Sequence, residues 1–136
     1  MSSVTSALSD VAASLSPDEL TKKVEEIKAA GNERFLKGDY TQAKALYTDA
    51  LSLNPNIVAI YSNRAICELK LEQYGLAIAD ATKAIELDAT FAKAYYRRAC
   101  AHLAILDPKA ALPDLKMVVK LCLLYTSDAA DEQCMV

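Results

Sequence analysis

The chain has 136 residues, enough for one domain with a continuous core, and 53% of them are hydrophobic. A formal net charge of −3 excludes the basic stripe of a general nucleic-acid binder, and no apolar run reaches the length of a membrane-spanning helix. With three glycines, no tryptophan and an alanine-rich apolar fraction, the composition favours an all-α fold. Alanine combines high helix propensity with close helix–helix packing.

Residues 1–15 are rich in Ser and Ala. They lack a basic n-region and a long apolar h-region, so they read as a disordered leader and not as a secretory signal. Ser16 is the expected cap of the first helix, with Pro17 at its first position, Asp18 at the positive dipole end and Glu19 closing a capping box. That helix is predicted to run to about Lys37 and to stop at Gly38. The second is predicted from Tyr40 to Leu53, before Asn54-Pro55, where proline disfavours helical geometry upstream. Two further pairs follow at about 57–71 with 74–87, and 91–105 with 108–121. Glu72-Gln73 stands in the second pair where the first has its glycine. Asp107 is the expected cap of the last helix and Pro108 its first residue. Pro113 falls inside that helix, where a proline removes a hydrogen bond, so a bend or a restart is expected there.

The helices repeat with a period of 34 residues. Gly31, Ala65 and Ala99 are spaced by it, as are Ala43, Ala77 and Ala111, and the pairs Ala50/Ala84, Tyr40/Tyr74 and Tyr61/Tyr95. A helical period of this length means stacked helix–turn–helix units, which bury their apolar stripes only against one another. The stripes of the first helices are expected at Ile27-Gly31-Arg34, Tyr61-Ala65-Glu68 and Tyr95-Ala99-His102. Those of the second helices are expected at Ala43-Tyr47-Ala50, Ala77-Ala81-Ala84 and Ala111-Leu115-Val118. Arg64 and Arg98 also keep the period and read as surface residues or inter-helix partners of Asp or Glu.

Four cysteines, Cys67, Cys100, Cys122 and Cys134, form no C-x-x-C pair, so no zinc is expected and a reduced cytosolic setting fits. The lone histidine, His102, lies on a packing stripe and reads as a core residue rather than a ligand.

The pattern Gly31…Tyr40…Ala43…Tyr47…Ala50…Pro55, then Ala65…Tyr74…Ala77…Ala84, then Ala99…Ala111, resembles the tetratricopeptide repeat family over about residues 24–121. Arg34 and Glu68 replace a usual aromatic, Ala89 replaces the closing proline, and the third repeat lacks its turn glycine and tyrosine. The segments EQYGLAIADATKAIELD and KAYYRRA, with VVKL, are similar to the N-terminal repeat domain of type-five serine/threonine protein phosphatases. The resemblance implies three repeats, about 24–57, 58–91 and 92–121, within a domain at 16–121, wound as a right-handed superhelical array with a concave peptide groove. Residues 122–132, CLLYTSDAADE, resemble instead one reading frame of a common sequencing adapter. Residues 122–136 are therefore expected to be a non-native tail, Cys122 and Cys134 carry no functional weight, and the last helix should leave an apolar face uncovered.

In this repeat architecture the first helices line the groove. Lys28 and Asn32 are four residues apart and share a face, and Lys93 and Arg97 repeat that spacing. Asn63 lies one period before Arg97, and all five residues lie off the packing stripe. Cations give charge-assisted bonds and asparagine an uncharged donor, which together suit an anionic peptide. The set resembles the dicarboxylate clamp of chaperone-binding tetratricopeptide domains. The resemblance implies that Lys28, Asn32 and Asn63 hold a terminal carboxylate and that Lys93 and Arg97 take acidic side chains. The partner it implies is the Glu-Glu-Val-Asp end of heat-shock chaperones of the ninety- and seventy-kilodalton classes. Ile66 and Leu69 are expected to offer apolar contacts in the same groove. The chain itself is expected to be no enzyme and to need no cofactor. In its parent, a phosphatase domain holding two divalent metals is expected to be covered by these repeats, in the cytoplasm and also the nucleus. The competing reading is a repeat scaffold with an unrelated protein partner.

Overall fold

A computed structural model describes residues 13–124. Among them are six helices of note: α1 (Pro17–Leu36), α2 (Tyr40–Leu53), α3 (Val58–Lys70), α4 (Tyr74–Leu87), α5 (Ala92–Ala104) and α6 (Pro108–Leu124). Each odd helix packs on the even one that follows, each even helix packs on the next odd one, and α3 also touches α5. Most of the expected leader and most of the expected tail lie outside the described residues. Residues 122–124 continue α6.

Local chemistry sets the helix ends, and it recurs with the period. Ser16 accepts from the Glu19 amide at 3.3 Å, Asp39 from Gln42 at 3.2 Å and Asp107 from Ala110 at 3.2 Å. The α1, α3 and α5 ends close alike. The amides of Asp39, Gln73 and Asp107 reach back to the carbonyls of Arg34, Glu68 and His102 at 3.0, 2.7 and 2.8 Å. This closure requires a left-handed residue just before each of those amides. Gly38 supplies it at φ 80°, whereas Glu72 and Leu106 adopt φ 61° and 62° with side chains attached. Each of those two costs on the order of 1 kcal/mol relative to glycine. Between repeats, the Tyr61 hydroxyl donates to the Pro55 carbonyl and the Tyr95 hydroxyl to that of Ala89, both at 2.8 Å.

The alanine stripes are the core: Ala43, Ala50, Ala65, Ala77, Ala81, Ala84 and Ala99 are all fully buried. Where α1 meets α2 the facing pair is Gly31 and Tyr47. A Cβ on Gly31 would stand 2.7 Å from the Tyr47 ring. One expected stripe residue is wrong. Arg34 is exposed, and Phe35 turns inward to meet the Tyr40 ring edge-on at 5.3 Å. At 3.6 residues per turn the row through Ile27 and Gly31 continues at Phe35, not at Arg34.

Arg64 and Arg98 are inter-helix partners. Arg64 forks onto both Asp80 oxygens at 2.7 Å and donates to the Thr48 hydroxyl at 3.2 Å, which ties α3 to α4 and α2. Arg98 does the same with Asp114, at 2.8 and 2.7 Å, and with Thr82 at 3.2 Å. Pro113 neither restarts nor ends α6, which runs unbroken to Leu124. Its missing amide frees the carbonyl of Lys109, an exposed residue that water can reach. Leu112 and Val119 of α6 are about half exposed, the uncovered apolar face expected there.

Candidate functional site

The groove side of α1, α3 and α5 carries two adjoining pockets. The first, about 210 Å³, is lined by Asn32, Phe35, Leu36, Tyr47, Asn63, Ile66 and Arg97. The second, about 220 Å³, is lined by Ile66, Leu69, Lys70, Tyr96, Arg97 and Cys100. Ile66 and Arg97 belong to both. The structure thus brings Asn32, Asn63, Arg97, Ile66 and Leu69 together. Lys28 and Lys93 line neither pocket. They are half-buried, one helical turn before Asn32 and Arg97 on the same helices.

Two features set the polarity of this surface. The Asn32 carbonyl oxygen accepts from the Tyr47 hydroxyl and, at 3.4 Å, from the Asn63 amide. With its oxygen so engaged, Asn32 turns its own amide N–H donors elsewhere. Burial pushes the Tyr47 phenol up to about 12, with the nearby Cys67 adding to the shift, so it remains a donor at neutral pH. Arg97 is the second feature. It is 8% exposed, its Nε has no hydrogen-bond partner, and it makes no ion pair among the described residues. Burial lowers its pKa, the direction expected of a cation taken from water without a carboxylate beside it. Its neighbour Arg98 has its pKa raised, chiefly by the hydrogen bonds to Asp114. Lys28 and Lys93 also have no carboxylate within ion-pair distance among the described residues.

A buried acidic cluster lies away from the groove. Glu68 is 3% exposed and Asp80 7%. Lys44 stands 3.4 Å from one Glu68 oxygen, and the other oxygen has no partner. Burial first, and then Asp80, push the Glu68 carboxyl up to about 8 against the opposing pull of Lys44 and Arg64. The Lys44 contact taken alone suggests an ionised pair. Burial of the carboxyl beside a second carboxylate outweighs one lysine that is itself partly solvated.

Tyr47, Phe35, Leu36, Tyr96 and Cys100 escaped the sequence reading as groove residues. Tyr47 was placed only in a packing stripe. Its bulk among alanines, opposite the one glycine of the first-helix series, is the signal that it reaches past the core. Cys100 follows Arg97 by three residues and so shares its face.

Among the described residues no group of His, Cys, Asp and Glu could hold a metal ion, and no helix is long and apolar enough to cross a membrane. A family model, tetratricopeptide repeat, matches residues 29–57 and 58–91. Serine/threonine-protein phosphatase 5 of Homo sapiens is 44% identical over 103 residues, which are 76% of this chain and 21% of that protein. The chain therefore spans about a fifth of the length of that relative. Among solved structures, the TPR2B domain of yeast Sti1 in its pHsp70 complex superposes with a TM-score of 0.76 at 35% identity, over 82% of this chain and 90% of that one. The second TPR of Spaghetti (RPAP3), bound to the HSP90 peptide SRMEEVD, gives 0.70 at 32% identity, over 72% and 91%. With its 34-residue period, its three closed helix pairs and these matches, the chain belongs to the tetratricopeptide repeat family.

Proposed function

We propose that this chain is a protein-interaction module whose groove captures the acidic C-terminal peptide, of Glu-Glu-Val-Asp type, of heat-shock chaperones of the ninety- and seventy-kilodalton classes. The observation that carries the reading is Arg97, a buried arginine in the groove wall with no carboxylate partner among the described residues. Burying a cation is costly unless an anion meets it, and an acidic peptide supplies one. In this reading Lys28, Asn32 and Asn63 hold the terminal carboxylate, Lys93 and Arg97 take acidic side chains, and Ile66 and Leu69 give apolar contact. The kinship with phosphatase 5 supports a further assignment: the chain is the N-terminal targeting arm of a metal-dependent serine/threonine phosphatase, working in the cytoplasm and nucleus, whose catalytic domain the repeats cover.

The test is titration calorimetry with a free-acid peptide ending in Glu-Glu-Val-Asp and with its C-terminally amidated form. The free acid should bind at about −7 to −8 kcal/mol, a micromolar Kd. The amide should not bind, and Lys93→Glu or Arg97→Glu should abolish binding. Equal binding of both peptides, or undiminished binding by the charge-reversed variants, would overturn the clamp in favour of a scaffold with another partner.

A further inference from the structure

Two cysteines are free thiols among the described residues, and their surroundings differ. Cys67 is fully buried, and burial pushes its thiol up to about 12, which leaves it inert. Cys100 is half-buried and opens into the second groove pocket beside Ile66, Leu69, Lys70, Tyr96 and Arg97. It lies three residues after Arg97 and four after Tyr96, so all three share one helix face. Tyr96 lines the same pocket as the thiol. Arg97 lines this pocket too, and its buried Nε lacks a partner. Lys70 is the second cation in the lining.

We propose that Cys100 is a thiol–disulfide exchange site for a small disulfide whose arms carry carboxylates, of which glutathione disulfide is the type. The Cys100 thiolate attacks one sulfur of the reagent. Its new S–S bond forms as the reagent's own S–S bond breaks, and the other half leaves as a thiolate that takes up the proton Cys100 lost. Cys100 is oxidised and the leaving half is reduced, so no further oxidant enters. Arg97 and Lys70 favour the anionic reagent by opposite charge, and the same arginine then faces the adduct's carboxylates. The adduct occupies the groove and excludes an acidic peptide. That last consequence rests on the peptide-binding reading above, whereas the modification does not.

The experiment treats the full chain with glutathione disulfide and, separately, with cystamine, which has the same reacting bond and cationic arms. Peptide mass spectrometry follows the adduct at Cys100. The glutathione-to-cystamine rate ratio at Cys100 should exceed that in the urea-unfolded chain by about fivefold or more, the effect of one unit charge near a protein surface. The Arg97→Gln variant, verified as folded by circular dichroism, should lose most of that excess. Lys70→Gln, an exposed change, should lose a smaller part. A ratio no higher than in the unfolded chain, an excess unchanged in both variants, or no adduct at Cys100 would overturn the proposal. Peptide titration of the adduct then separates the two readings. Weakened binding that a Cys100→Ser control escapes joins them. An anion-selective adduct that leaves peptide affinity intact supports the exchange site and counts against the clamp.

Discussion

Gly31→Ala tests whether the core and the groove are mechanically joined. Its added Cβ would lie 2.7, 3.0 and 3.2 Å from three atoms of the Tyr47 ring. That ring is 2% exposed and packed within the main core cluster, so it has little room to retreat. Overpacking of this kind costs about 1–3 kcal/mol. Helix propensity returns about 1 kcal/mol when glycine becomes alanine. The expected net loss is therefore about 1 kcal/mol, a fall in Tm of roughly 4–8 °C for a domain of this size. Gly75→Ala is the internal control, because its Cβ meets nothing within 4 Å. There the propensity gain stands alone, and about 0.5–1 kcal/mol of added stability is expected. Urea unfolding followed by far-ultraviolet circular dichroism should separate the two variants by about 1.5–2 kcal/mol with opposite signs. Since the Tyr47 hydroxyl holds Asn32, Gly31→Ala should also weaken binding of an acidic peptide. A Gly31→Ala variant as stable as Gly75→Ala would refute the steric argument.

Tyr47→Phe removes the donor that fixes the Asn32 carbonyl. It should lower peptide affinity about fivefold, near 1 kcal/mol, by titration calorimetry. Asp114→Asn should destabilise by about 2 kcal/mol in urea, because it strips Arg98 of its bidentate partner. Asp80→Asn should cost less, since it also relieves the carboxyl of Glu68, a neighbour that Asp114 lacks at His102, one period on. Glu68 makes stability pH-dependent. Its carboxyl is raised from 4.5 to about 8, so the folded chain keeps a proton that the unfolded chain releases. Stability should fall as pH rises through that interval, and Glu68→Gln should remove the slope and stabilise most near pH 8, read from unfolding midpoints at pH 5 and 8.

The period carried nearly all of the helix boundaries, and several ends are fixed by local chemistry visible as letters: Ser16, Gly38, Pro55 and Asp107. Arg34 was misplaced because an i+3 step and an i+4 step from Gly31 are both consistent with a helix. The choice fell to Phe35 through its contact with Tyr40, a residue beyond the helix end. The left-handed turns at Glu72 and Leu106 had no glycine to announce them and could be inferred only by translating Gly38 along the repeat. In the groove, i, i+4 spacing together with the repeat period singled out five polar positions. What spacing could not give was the pairing of Arg98 with Asp114 while Arg97 has no acidic partner among the described residues, nor the reach of Tyr47 through the alanine layer to Asn32. Both depend on side chains meeting across the two helices of one repeat.

Arg64 and Arg98 each rivet three consecutive helices, and each directly follows a groove residue, Asn63 or Arg97. The advance from one repeat to the next is thereby copied onto the separation of the groove donors, as graduations on a ruler are stamped from a common die. In a stack whose stability is a sum over neighbours, the bonds that make adjacent repeats fold together are the bonds that set this gauge. An arriving ligand meets donors whose spacing was settled during folding, so less order has to be created on contact. Slackening one rivet would blur the gauge at the adjoining donor before it melted the array.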